Sequence, residues 1–277
     1  MIQTAAILTR TGSIQVELPS PEAELMDGVR WGSVDEFPTP AYWAYQVVAR
    51  RLVGKPAGYR LGRTLAEEVA ACLLGGHGIP ATVGLAAYDH MRERGALSGT
   101  KMSEAELEAL LKEPLEVGGR SVRYRFATQK ARYLAAALPL AHAAPKFEAG
   151  RQLRDWLLAV PGIGHKTASW IARNWLDADD VAILDIHIMR VGQVIGLFPK
   201  NLTVGRHYAE LEERFLRLST SLDVRASELD AVIWWEMASS PVTVRHLVEH
   251  LRGDSHAENQ GRSRTRKHVQ TELALSR

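Results

Sequence analysis

The feature that most constrains this chain is residues 157–190, LLAVPGIGHKTASWIARNWLDADDVAILDIHIMR. Just before it and within it, Leu153, Trp156, Leu157 and Val160 recur at the spacing of a core-facing helix. Pro161-Gly162-Ile163-Gly164 then breaks that pattern, and a second amphipathic stretch starts at once. Two helices joined by such a turn form a helix-hairpin-helix signature. Its glycines permit positive φ and leave no side chain between the backbone and a partner. The turn's N–H groups and the start of the second helix then face outward as an anion site, suited to a DNA phosphate. Ile163 is expected to plug the hairpin into the core, with Ala168 and Ala172 letting the two helices approach closely.

Lys166 follows the second glycine, where it would serve either as a phosphate contact or as a nucleophile. Asp185 lies 19 residues further on, after the apolar run VAIL and before a helix carrying Ile186, Met189 and Val194. Its simplest role is an N-cap. A carboxylate near the hairpin lysine would also take a proton from an attacking amine or stabilise positive charge developing on a sugar ring. Lysine is a poor nucleophile at its free pKa, so a site that uses it must desolvate it or add positive potential. The preceding helix N-terminus acts in that direction. Asp185 acts against it, and the sequence leaves the source of the neutral amine open.

Composition narrows the setting. The chain has 277 residues, 46% of them hydrophobic and 24% charged, which is ordinary for a globular protein. No apolar run is long enough to span a bilayer, and MIQTAAILTRTGS lacks the basic start of a signal peptide, so a cytoplasmic, nucleoid-associated protein is expected. The single cysteine, Cys72, sits in the apolar stretch VAACLLGG and excludes a disulfide framework or a four-cysteine cluster. A formal charge of +2 does not announce a nucleic-acid binder, so any electrostatic footprint must be local.

The remaining segments read as helices with a loop-rich start. AAILTRTGSIQVEL predicts a small β-hairpin around Thr11-Gly12. Pro19, Pro21, Pro38 and Pro40 punctuate the entry to a helix over 41–52 that faces inward through Trp43, Val47 and Val48. Thr64 with Glu67, and Ser103 with Glu106, have capping-box spacing. The first of these helices is expected to end in a left-handed cap at Gly75-Gly76, and Pro80 to begin the next. Residues 120–138 carry Arg120, Arg123, Arg125, Lys130 and Arg132 among Tyr124, Phe126 and Tyr133. They form either a solvated basic face or a phosphate-holding one. YAELEERFLRLS and SELDAVIWWEMASS are helical by pattern, and the tail from Gly253 is polar and basic. No strand alternation is sustained after residue 40. The fold class is all-α.

The string PGIGHKTASWIARN followed by DIHIMR resembles the helix-hairpin-helix (HhH-GPD) DNA glycosylase superfamily, most of all its 8-oxoguanine DNA glycosylase/AP lyases. The resemblance covers about residues 64–240. It implies a two-lobed helical fold in which Lys166 is the Schiff-base lysine and Asp185 the essential aspartate. Gly162, Gly164, His165, His187 and Arg190 would contact DNA. His77, on the loop after LAEEVAACLLGG, would fill the gap left by a flipped base. LDAVIWWEM looks like the last core helix, from which Asp230 would meet the flipped base and Trp234 would stack on it. Trp170, one turn after Lys166, would line the pocket. Core packing is the competing role for Trp170 and Trp234, and an ordinary loop position for His77.

The implied organisation is an N-terminal segment (1–61) packing with a C-terminal lobe (172–252) that carries Asp185. Between them in sequence comes a helical lobe (62–171) ending in the hairpin, and the basic tail (253–277) follows. A cleft between the lobes would take substrate. The expected function is a monomeric, bifunctional base-excision enzyme that flips an oxidised purine, 8-oxoguanine first, out of double-stranded DNA. It would use no iron–sulfur cluster, and a monovalent cation at the hairpin is compatible with this reading. The alternatives are a glycosylase for another damaged base and a non-catalytic helix-hairpin-helix DNA-binding protein.

Overall fold

The computed structural model describes residues 2–54, 59–76, 78–240, 242–245, 247–249 and 251. His77 and the basic tail lie outside them. The chain opens with β1 (Gln3–Thr9), β2 (Gly12–Leu18), β3 (Glu24–Met26), β4 (Val29–Arg30) and α1 (Pro40–Val53). Next come α2 (Leu65–Leu74), α3 (Ala81–Glu93), α4 (Glu104–Lys112), β5 (Leu115–Val117), β6 (Arg120–Val122) and α5 (Ala127–His142). It continues through α6 (Gly150–Leu157), α7 (His165–Leu176), α8 (Ile186–Val194), α9 (Val204–Ser221) and α10 (Ala226–Ser239). Among the described residues helices dominate, and the strands form only two-stranded antiparallel pairs. The fold is all-α, as its periodicity predicts.

The chain divides into two compact units. One holds Met1–Val53, Leu184–Val224 and Glu228–Arg277; the other holds Gly54–Ile183 with Arg225–Ser227.

The second unit is built around α2, where every residue except Glu67 is buried. A helix apolar all round belongs in the middle of a bundle, and α3, α5 and α7 all pack on it. The Gly84 backbone on α3 closes on Gly75, where a Cβ would come within 3.1 Å of the Gly75 Cα. Thr64 caps α2 by accepting the Glu67 N–H at 3.2 Å. The Glu67 carboxylate reaches one residue further back than a box requires, to the Arg63 N–H. At α4 the box is complete: Ser103 and Glu106 each accept the other's backbone N–H. The α2 terminus meets the expectation at the second glycine of its pair. Gly75, the C-cap, is extended, and Gly76 after it takes the positive φ, +101°.

The basic stretch 120–138 is not one element. Gly118 and Gly119 take φ of +58° and +73°, which turns β5 tightly into β6, and α5 begins only at Ala127. The far end of α7 stops at Asp177, whose φ of +52° is left-handed. Arg225 bonds the carbonyl of Asp177 at 3.0 Å and pairs with the carboxylates of Asp177 and Asp179, while Ser227 donates its N–H to Asp179. Burial alone would raise the Asp179 carboxyl, but the Ser227 and Arg225 hydrogen bonds outweigh it and hold the group below its ordinary value.

In the first unit, β1 and β2 form the hairpin expected at Thr11-Gly12, with Ile7 opposite Ile14 and Thr9 opposite Gly12. Ile7 is buried and Leu8 is 79% exposed, the alternation of a strand with one covered face. α1 buries Trp43 and Val47 as expected, while Val48 is only partly covered. The last turn of α1 is tied to the first turn of α10 by Arg51, which grips both carboxylate oxygens of Glu228. In α8, Gly192 packs against Phe198 so closely that a Cβ would lie 2.2 Å from the ring.

Candidate active site

The hairpin is the α6–turn–α7 segment of the second unit. Leu153 and Leu157 on α6, with Val160 and Ile163 from the turn, are buried in the core; Trp156 is partly covered and packs on Phe147. The Ile163 N–H bonds the Val160 carbonyl at 3.1 Å, which rounds the turn. Its two glycines do different work. Gly162 has φ +86°, and a Cβ there would sit 2.3 Å from the Tyr133 ring of α5. Gly164 has an ordinary φ of −98° and no neighbour within 4 Å of its would-be Cβ. Glycine at 162 is thus demanded by the fold, whereas glycine at 164 keeps open space before a helix start.

That contrast is testable. Gly162→Ala should destabilise the protein by about 2–4 kcal/mol, from backbone strain plus overpacking on Tyr133. At about 2–4 °C per kcal/mol this is a thermal shift of about 4–16 °C. Gly164→Ala should leave Tm within about 2 °C. Equal melting of the two variants would remove the distinction.

α7 begins at Gly164 without a side-chain cap, so its first N–H groups present the positive end of the helix dipole. His165 is exposed there, and Lys166, one residue on, is partly exposed. Within its unit, the Lys166 ammonium makes no hydrogen bond or ion pair to a described residue. A lysine kept for structure would be paired or spent on a carbonyl; this one is neither. Ala168 and Ala172 are fully buried, as close helix packing requires. Trp170 is partly buried, with its ring over the end of α2 at a point 3.2 Å from where a Gly75 Cβ would be. The same Gly75 carbonyl lies 3.4 Å from Lys130 Nζ, and Tyr124 bonds the neighbouring Leu74 carbonyl at 2.6 Å. The α2 terminus is therefore braced from three side chains.

Sequence reasoning passed over Glu68, which is fully buried. Its Oε2 accepts the N–H groups of Leu61 and Gly62, each at 2.7 Å, and its Oε1 accepts Asn174 Nδ2 at 2.8 Å. This carboxylate ties the last part of α7 to α2 and to the chain entering α2. Arg173 beside Asn174 stacks on Tyr59, its guanidinium 4.2 Å from the ring centre. The readable signal was two adjacent glutamates in LAEEVAACLL, a helix too apolar to keep both in water. Burial beside Glu68 also pushes the Cys72 thiol up, which suits an inert packing role.

In the first unit, Asp185 is 8% exposed and caps α8. Its Oδ1 accepts the His187 N–H at 2.8 Å and the Ile188 N–H at 2.9 Å. Oδ2 accepts nothing from a described residue of that unit, so one oxygen holds the helix and the other stays available. His187 and Arg190, both partly exposed, lie one turn apart on α8 and share a side of it. On α10, Asp230 is buried and Trp234 is 45% exposed, so core packing is not the role of Trp234. Trp235 is 49% exposed beneath the Arg50 guanidinium, 4.0 Å from its ring centre. Lys166 with the hairpin residues and Trp170 thus sit in one unit, and Asp185, His187, Arg190, Asp230 and Trp234 in the other.

An uncapped helix behind a Pro-Gly-Ile-Gly turn, bearing an unpaired lysine, defines a helix-hairpin-helix protein. The chain belongs to the 8-oxoguanine DNA glycosylase (Ogg-HhH) family, whose model matches residues 60–224. An 8-oxoguanine DNA glycosylase/AP lyase of Methanocaldococcus jannaschii is 33% identical over 133 residues, 46% of this chain and 63% of the relative. A protein of the same description from Fusobacterium nucleatum is 33% identical over 89 residues, 31% of this chain and 41% of the relative. The chain thus spans less than two thirds of either relative's length. A solved structure of an endonuclease III–DNA covalent intermediate aligns with a TM-score of 0.50 at 18% identity, covering 71% of this chain and 85% of that one. The two share the fold. Among the described residues no helix is long and apolar enough to cross a membrane.

Proposed function

We propose that this protein is a bifunctional DNA glycosylase and AP lyase that removes an oxidised purine, 8-oxoguanine first, from double-stranded DNA. The observation that carries the reading is Lys166, partly exposed in the first turn of α7 behind the open Gly164 and without a partner in its unit. Family membership over residues 60–224 and the two relatives named as 8-oxoguanine DNA glycosylase/AP lyases support the substrate class.

In this mechanism the lesion nucleotide leaves the base stack, at a cost of about a few kcal/mol. His77 fills its place, and Trp170, Asp230 and Trp234 receive the base. The amides of Gly162, Gly164 and His165, with His187 and Arg190, hold phosphates. The neutral Lys166 amine bonds to C1′ while the C1′–N9 bond breaks, its electron pair leaving with the base, which takes up a proton. The nitrogen then loses a proton, the C1′–O4′ bond opens with its electron pair going to O4′, which takes up a proton, and a protonated imine remains. Removal of a C2′ proton expels the 3′ phosphate, which cuts the strand 3′ to the lesion. The free Oδ2 of Asp185 offsets positive charge on the sugar as the base departs. The enzyme works as a monomer on DNA in the cytoplasm, with no iron–sulfur cluster.

Excision from matched duplexes carrying 8-oxoguanine, thymine glycol, an abasic site or no lesion tests the assignment. The 8-oxoguanine duplex should be cut fastest among the damaged bases, by at least about tenfold. Preferred cutting at thymine glycol would reassign the substrate, and tight binding with no cutting of any duplex would leave a binding protein.

A further inference from the structure

The hairpin turn is not the only cationic surface of the second unit. Between Glu116 and Glu148 the sequence has no carboxylate side chain, but it has Arg120, Arg123, Arg125, Lys130, Arg132 and Lys146. The structure separates their roles. Lys130 is half-buried against the Gly75 carbonyl, and burial lowers its pKa. Arg120, Arg123, Arg125 and Arg132 are exposed, and among the described residues none of them has an ion-pair partner.

A merely solvated face usually intersperses both signs. Carboxylates from neighbouring elements border this one, Glu116 across the β5–β6 pair from Ser121 and Glu108 hydrogen-bonded to Thr128, but neither pairs with any of the four arginines, although other arginines of the unit have carboxylates in reach: Arg92 with Asp89, Arg94 with Glu113 and Arg225 with Asp177. Two of the four unpaired arginines are held on aromatic rings instead. The Arg125 guanidinium lies 5.1 Å from the centre of Phe126, and that of Arg132 lies 5.5 Å from the centre of Tyr133. Ring support leaves the charge free and reduces the ordering cost of a new contact. Tyr133 is also the ring on which Gly162 closes. Arg132 is therefore anchored on the side chain that underlies the hairpin turn.

We propose that Arg120, Arg123, Arg125 and Arg132 form a second backbone-binding strip, which holds phosphates of the same duplex that the hairpin grips. The strip rests on the glycosylase reading above and adds to it a sequence-independent contact. Guanidinium groups suit it because they meet phosphate oxygens in pairs and stay charged at any working pH.

The test is the salt dependence of binding to an undamaged duplex and to an 8-oxoguanine duplex. Each phosphate contact contributes about 0.9 to the slope of log K against log salt. Replacing all four arginines by glutamine should lower the slope by about 3.6 on both duplexes. Between about 50 and 200 mM salt, the wild type should then lose roughly a hundredfold more affinity than the variant. The corresponding four-lysine variant should restore most of the slope. An unchanged slope overturns the strip, and so does a lysine variant that behaves like the glutamine one. Wild-type excision of 8-oxoguanine, measured in parallel, separates the failures: normal excision with an unchanged slope sinks the strip alone, while a wild type that binds no duplex sinks both readings.

Discussion

Lys166→Gln should abolish strand cutting at 8-oxoguanine, lowering the rate at least about a thousandfold, which is about 4 kcal/mol of barrier. Glutamine keeps the length and polarity of the side chain but has no amine to form an imine. Lys166 is partly exposed and makes no hydrogen bond or ion pair within its unit that the substitution would break. Folding should therefore be preserved, with Tm within about 2 °C, since surface changes away from special features stay within about 0.5 kcal/mol. Binding to undamaged duplex should weaken only by the loss of one charge. Cutting at the wild-type rate by this variant would mean that Lys166 is a phosphate contact and that the nucleophile is elsewhere.

Asp185→Asn should slow base release about 10²–10³-fold while keeping the fold. The reasoning turns on the two oxygens of the carboxylate. Oδ1 caps α8 through the His187 and Ile188 N–H groups, and an asparagine oxygen accepts those bonds equally well. What the substitution removes is the negative charge, and with it the stabilisation of a cationic sugar, for which losses of this size are typical of preorganised electrostatic sites. Asp185→Ala loses the cap as well, so it should cost a further ~1 kcal/mol of stability that Asp185→Asn does not. If the two variants melt together, the capping account is wrong. If Asp185→Asn turns over normally, the carboxylate serves only the helix.

These residues could be read in the sequence because their signals are local. A Pro-Gly-Ile-Gly turn between two amphipathic stretches specifies its own backbone, and an aspartate before IHIMR is a cap wherever the helix packs. The short N-terminal hairpin was legible for the same reason. Glu68 was harder, because its partners Leu61, Gly62 and Asn174 come from separate segments and only folding unites them. The β5–β6 pair escaped because three-residue strands carry no periodicity, and its cue was the Gly118-Gly119 pair. Trp234 has the spacing of a core residue in an apolar helix, yet it is half exposed, a distinction that depends on what covers α10 rather than on α10 itself. Position 162 shows the converse. A glycine that looked like one of two equivalent turn residues owes its identity partly to Tyr133, 29 positions earlier.

The atom that joins protein to DNA identifies the nucleophile most directly. Wild-type protein incubated with an 8-oxoguanine duplex and borohydride should give a stable covalent complex, because the hydride reduces the imine to an amine. Digestion and mass analysis of that complex should place the sugar remnant on Lys166. A remnant on any other lysine, or no complex while the 8-oxoguanine is nonetheless released, would contradict the mechanism.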